Sequence, residues 1–118
     1  MTKEELEDFF EMGKILVWIK EPHKKAKHVW ISPRLENLQK TVGGYIEAVQ
    51  MTTDVTLLCD EEGRLKGYEP NVQFLGKQFV GTLILVGTKG EEFSSCPISL
   101  GDMKKYFPTW MKEDDDVK

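Results

Sequence analysis

Few residues of this 118-residue chain could carry a reaction: His23, His28, Cys59, Cys96 and scattered carboxylates. General acid–base work needs a titratable group held against the atom it serves, and a thiol nucleophile needs a neighbouring base or cation to become thiolate. Neither histidine has a cysteine or aspartate at metal-ligand spacing, so both read as solvated imidazoles. Cys96 precedes Pro97 in a Ser-Ser-Cys-Pro loop that could expose a thiol, but no histidine stands near it in sequence. The expectation is a protein with no catalytic residues, no metal and no cofactor, one that acts by binding.

Binding chemistry is better supplied. Lys24, Lys25 and Lys27 stand just ahead of a helix start at Ser32-Pro33-Arg34, and helix starts receive anions. This gives one candidate anion site, with Lys25 and Arg34 as its cations. The alternative is a solubilising lysine turn. The segment Arg64-Leu65-Lys66-Gly67-Tyr68-Glu69-Pro70-Asn71 offers a second. Arg64, Lys66, Tyr68 and Asn71 combine two cations, an aromatic face and an amide on irregular backbone, a set that can hold a nucleotide by stacking and paired hydrogen bonds. Equally, the segment could be a loop that only covers the core edge. Gly43-Gly44 is not a phosphate loop, because it follows a helix, whose carboxyl end repels anions.

The elements that must position these groups follow from pattern. Thr2 and Glu5 form a capping box ahead of Leu6, Phe9 and Phe10, which predicts an amphipathic helix over residues 1–13. Phe9 and Phe10, with Trp110, are the candidate protein-interface residues. Ile15 to Ile19 and Val29 to Ile31 predict a hairpin with a basic tip. Ser32 is the expected N-cap and Pro33 the first residue of a helix whose apolar face is Leu35, Leu38 and Val42, stopped by a left-handed Gly43. Tyr45 to Gln50 and Val55 to Cys59 read as strands, and Arg64 to Gln78 as an excursion with at most one helical turn. Phe79 to Val86 reads as one continuous central strand, with Gly81 a bulge or point of close approach. A short strand near Glu92 to Ser94 follows. A last helix is capped by Ser99, faces Leu100, Met103 and Phe107 inward and is closed by Pro108.

Composition bounds the rest. Apolar residues make up 40% and charged residues 31%, as in an ordinary globular domain rather than a disordered chain. The longest apolar run, Leu83 to Val86, is far short of the roughly 18 residues of a membrane span. The acidic amino terminus does not read as an export signal, so a cytoplasmic location and reduced thiols are expected. Of the net charge of −4, residues 113–118 supply −3. A nearly neutral body disfavours nonspecific nucleic-acid binding. It also excludes DNA mimicry, which would need about twenty negative charges on one face to imitate ten base pairs. The expected organisation is an added helix over 1–13, one α+β domain over 14–112 and an acidic tail over 113–118. The domain should be a mostly antiparallel sheet of about five strands with two short helices packed on it.

Three blocks carry a resemblance: Leu38-Gln39-Lys40-Thr41-Val42-Gly43-Gly44-Tyr45-Ile46-Glu47; Glu61-Glu62-Gly63-Arg64-Leu65-Lys66-Gly67 with Pro70-Asn71; and Gly81-Thr82-Leu83-Ile84-Leu85-Val86-Gly87. Together they resemble a small domain-of-unknown-function family, number 3846, carried mainly by bacteriophages and integrative mobile elements, over about Lys14 to Phe107. The resemblance implies a biological context rather than a reaction. Val72 stands where relatives often place an arginine after Pro-Asn. From that context come two expectations. In the first, a homo-oligomeric counter-defence protein sequesters a nucleotide-derived host immune signal through Arg64, Lys66, Tyr68 and Asn71, aided by Lys25 or Arg34. In the second, a protein-binding inhibitor covers a host defence nuclease or sensor through Phe9 and Phe10 or Trp110.

Overall fold

The computed structural model describes residues 13–113. Its centre is a fully antiparallel six-stranded sheet. Strand β1 (Ile15–Lys20) pairs with β2 (Lys27–Ile31), and β3 (Ile46–Gln50) with β4 (Val55–Asp60). Strand β7 (Leu83–Lys89) joins the two hairpins by pairing with both β1 and β4, and β8 (Glu92–Ser94) folds back on β7. The order is β2-β1-β7-β4-β3. A separate hairpin, β5 (Pro70–Phe74) with β6 (Lys77–Val80), lies outside this sheet.

Both faces of the sheet are covered, which is why every residue of β4 and the first five of β7 are buried. On one face helix α1 (Leu35–Val42) lays Leu38 and Val42 over Ile15, Val17, Leu58, Ile84 and Val86. On the other, the β5–β6 hairpin, helix α2 (Leu100–Tyr106) and a 3-10 turn (Pro108–Met111) cover Trp18, Leu57, Leu83 and Leu85. Successive residues of β7 alternate between the two cores, as the two-residue strand period demands. Each of these side chains contributes about 1.5–3 kcal/mol on burial.

The β1–β2 hairpin, β3, β4, β8 and both helices lie where the pattern placed them, within a residue or three at their ends. Gly43 stops α1 in the left-handed region (φ 105), its N–H donating to Gln39 O at 2.8 Å. Ser99 Oγ accepts from the Asp102 N–H at 3.1 Å, as a capping residue should.

Four expectations need correction. The described residues hold eight strands rather than about five, six in the main sheet and two in the β5–β6 hairpin, which starts inside the excursion over Arg64 to Gln78 and runs on to Val80. The continuous strand over Phe79 to Val86 is two strands, broken where Gly81 (φ 74) turns the chain from β6 into β7. Helix α1 begins after Arg34 rather than at Pro33: Arg34 is extended, its carbonyl accepts from the Asn37 and Leu38 N–H groups, and the Asn37 amide ties back to Ser32 O at 3.0 Å. Leu100 does not face inward; it is 48% exposed, and Met103 alone of α2 is buried. The expected amino-terminal helix with Phe9 and Phe10, and all of the acidic tail beyond Glu113, fall outside the described residues.

Candidate functional site

Asp60 ends β4 with its carboxylate turned into the α1 side of the sheet, where its side chain is only 1% exposed. A buried anion persists only if it is paired and hydrogen-bonded. Lys66 Nζ lies 2.8 Å from Asp60 Oδ2, and the Glu62 N–H donates to Oδ1 at 2.9 Å. Burial works to raise the Asp60 pKa, but the bonds from Lys66, the Glu62 N–H and Tyr68 outweigh it and hold the carboxyl below its ordinary value. The Lys66 pKa is raised in turn, chiefly by its hydrogen bond to Asp60. Lys66 also donates to Gly43 O at 3.1 Å and Tyr68 to the same carbonyl at 3.5 Å, so the α1 stop sits on this cluster. Gly81 closes it from the other side: a Cβ there would lie 2.5 Å from Tyr68 Cδ2.

Two members of the nucleotide-binding set, Lys66 and Tyr68, are therefore brought together around a buried carboxylate, where they fasten backbone. Arg64 points elsewhere, its guanidinium donating to Gln78 O in β6. Lys25 and Arg34 do not join them or each other. Strand β2 separates the two, and five residues of strand span about 17 Å. The basic tip is partly neutralised by Glu21, whose carboxylate lies 3.2 Å from Lys27 Nζ and 3.9 Å from Lys24 Nζ. Trp110, expected at an interface, is 2% exposed and packs in the core beside Phe107, while its carbonyl accepts from the Ala26 N–H.

Asn71 leads to a different place. Its Nδ2 donates to two carbonyls, Lys20 O and Gly81 O, both at 2.8 Å, which ties β5 to the start of β7 and the end of β1. Its Oδ1 is buried and has no hydrogen-bond partner among the described residues. Asn71 stands on the wall of a pocket of about 550 Å³ shared by Lys20, His23, Gln73, Thr109 and Lys112, with Glu113 as its carboxylate. Lys20 is only 4% exposed, and its ammonium donates to Glu21 O at 2.9 Å. His23 holds a left-handed conformation (φ 65), with Nε2 2.9 Å from Glu69 Oε2. Apart from Asn71, none of the lining residues was foreseen as a ligand-binding group. One signal was there to be read: Lys20 follows Leu16 and Trp18 at the strand period, which puts a charged residue at an inward position.

A second recess, about 330 Å³ and walled almost entirely by apolar side chains, lies between the β5–β6 turn and α2. Leu85 and Trp110 line it together with Phe74, Leu75, Ile98 and Tyr106.

The groups weighed for catalysis are held apart. Cys59 is pushed up to about 11 by burial and then by the Glu47 charge, and burial also raises Cys96. The two thiols are not bonded to each other. The His28 ring stacks on Trp18 at 4.0 Å, and burial lowers its pKa. Among the described residues no three His, Cys, Asp or Glu side chains are grouped to hold a metal, and no helix is long and apolar enough to cross a membrane.

Set beside known proteins, residues 14–110 match the profile of DUF3846, a domain of unknown function. The chain belongs to this family. The match contains all three sequence blocks, and the fold shows what unites them in this DUF3846 protein: Gly43, Asp60 with Lys66 and Tyr68, and Gly81 meet in one cluster. No curated protein and no solved structure matches the chain.

Proposed function

We propose that this protein binds and sequesters a small nucleotide-derived signal without converting it. It would thereby act as an accessory protein of a phage or mobile element against host immune signalling in the bacterial cytoplasm. The observation that carries this reading is the pocket of about 550 Å³ lined by Asn71, Gln73, Thr109 and Lys112. The amide of Gln73 and the hydroxyl of Thr109 can hydrogen-bond a base or ribose, and Lys112 is a cation that suits a phosphate; a nucleotide offers all of these groups. The pocket volume lies within the range of small-molecule sites. In this reading Arg64, Lys66 and Tyr68 act indirectly, fixing the segment from which Asn71 projects.

Calorimetry against a panel of cyclic dinucleotides, cyclic trinucleotides and ADP-ribose derivatives tests the proposal. At least one should bind, stoichiometrically and without turnover, and Lys112→Glu and Gln73→Ala should weaken it while leaving the fold intact. Absence of heat from every member of the panel would refute the reading.

A further inference from the structure

We propose that the apolar recess beside α2 is the docking site for a second copy of this chain, each protomer placing its Leu75 in the other's recess across a two-fold axis. The argument starts from the turn between β5 and β6. Phe74 pairs with Lys77, so the connection is the two residues Leu75 and Gly76, both with positive φ (53 and 75). Such turns favour Asn-Gly, and a leucine in the left-handed region is strained. This leucine is also 72% exposed. A strained leucine left mostly in solvent gains little in the isolated chain, and a surface that covers it would offset the strain.

The patch around it is complementary to itself. It carries a convex apolar group, Leu75, and a concave apolar recess that the same residue borders. Tyr106, 63% exposed, stands on the recess wall with Lys105 Nζ 5.2 Å from its ring centre, and Asp102 lines the recess one helical turn earlier. The patch thus holds one cation and one anion. A two-fold interface sets the same surface against itself, and a patch with both knob and hole, a carboxylate on its wall and a cation beside it, can meet its own copy in that way.

Sedimentation velocity of the full chain, from low micromolar to several hundred micromolar, reads the result directly. The wild-type protein should shift from monomer to dimer. Leu75→Asn should raise the melting temperature of the monomer, because asparagine suits the left-handed turn, and yet weaken the dimer by about tenfold or more. Lys105→Asp should also weaken it, and Asp102→Lys combined with Lys105→Asp should restore it. A wild-type chain that stays monomeric throughout overturns the proposal, including the case in which the recess takes only a different protein. So does a dimer indifferent to Leu75→Asn.

Discussion

Replacing Asp60 by alanine should be among the most damaging single changes near the surface of this protein. The carboxylate is almost wholly buried and accepts from the Glu62 N–H at 2.9 Å and from Lys66 Nζ at 2.8 Å. A hydrogen bond to a charged group contributes about 1.5–3 kcal/mol, and the Glu62 amide would be left without its acceptor. Lys66 reaches solvent and can rehydrate, so the pair is not added at full strength. Together with the small void left behind, the loss should be about 3 kcal/mol, which in a domain of this size lowers the melting temperature by about 12 °C. Urea unfolding at pH 7, followed by fluorescence of the buried Trp18 and Trp110, would measure it. The pH dependence supplies an independent check. The folded pKa of Asp60 lies below its unfolded value, so its stabilisation is complete above about pH 5 and fades as pH falls through the folded pKa. Asp60→Asn should remove that part of the acid sensitivity. A loss below about 1 kcal/mol for Asp60→Ala, with acid sensitivity unchanged in Asp60→Asn, would show that the cluster does not hold the three blocks together.

Three further outcomes follow from the same geometry. Gly81→Ala should destabilise by about 2–4 kcal/mol, since it adds left-handed strain to a collision with the Tyr68 ring, and Tyr68→Ala in the same chain should recover part of the loss by denaturant titration. Cys59, with its pKa near 11, is thiolate in about one molecule in a thousand at pH 8. In the folded protein iodoacetamide should therefore leave it and the buried Cys96 unmodified over hours, with both labelled in denaturant by mass spectrometry. Trp110→Ala should cost about 3–5 kcal/mol as a core truncation, and a melting temperature equal to wild type would return Trp110 to the surface role that its exposure argues against.

What the sequence made legible was local. The run from Leu35 to Glu47 showed a helix, its left-handed stop and the strand beyond, because each depends on neighbours a few residues away. The β5–β6 hairpin escaped because its turn is Leu75-Gly76 rather than Asn-Gly, and because apolar residues stand on both sides of the break at Gly81-Thr82, Phe79-Val80 before it and Leu83 to Val86 after it. The polar pocket was legible only at Asn71. Lys20, Gln73, Thr109 and Lys112 come from three separate stretches and meet only through the topology. Arg64, Lys66 and Tyr68 were singled out for their chemistry, but sequence does not reveal that a carboxylate at the end of β4 and two backbone carbonyls already use their donors.

The placing of β7 bears on how the chain is made. Its partners β1 and β4 belong to hairpins that form from short-range contacts, yet no strand pairing joins those hairpins until residues beyond 82 arrive. Until then the nascent polypeptide displays two sticky ribbons with no seam between them. Emergence of the Leu83 to Val86 tetrapeptide from the ribosome is the moment at which the two ribbons can join into one sheet, and the layer that Met103 and Trp110 complete closes only after them.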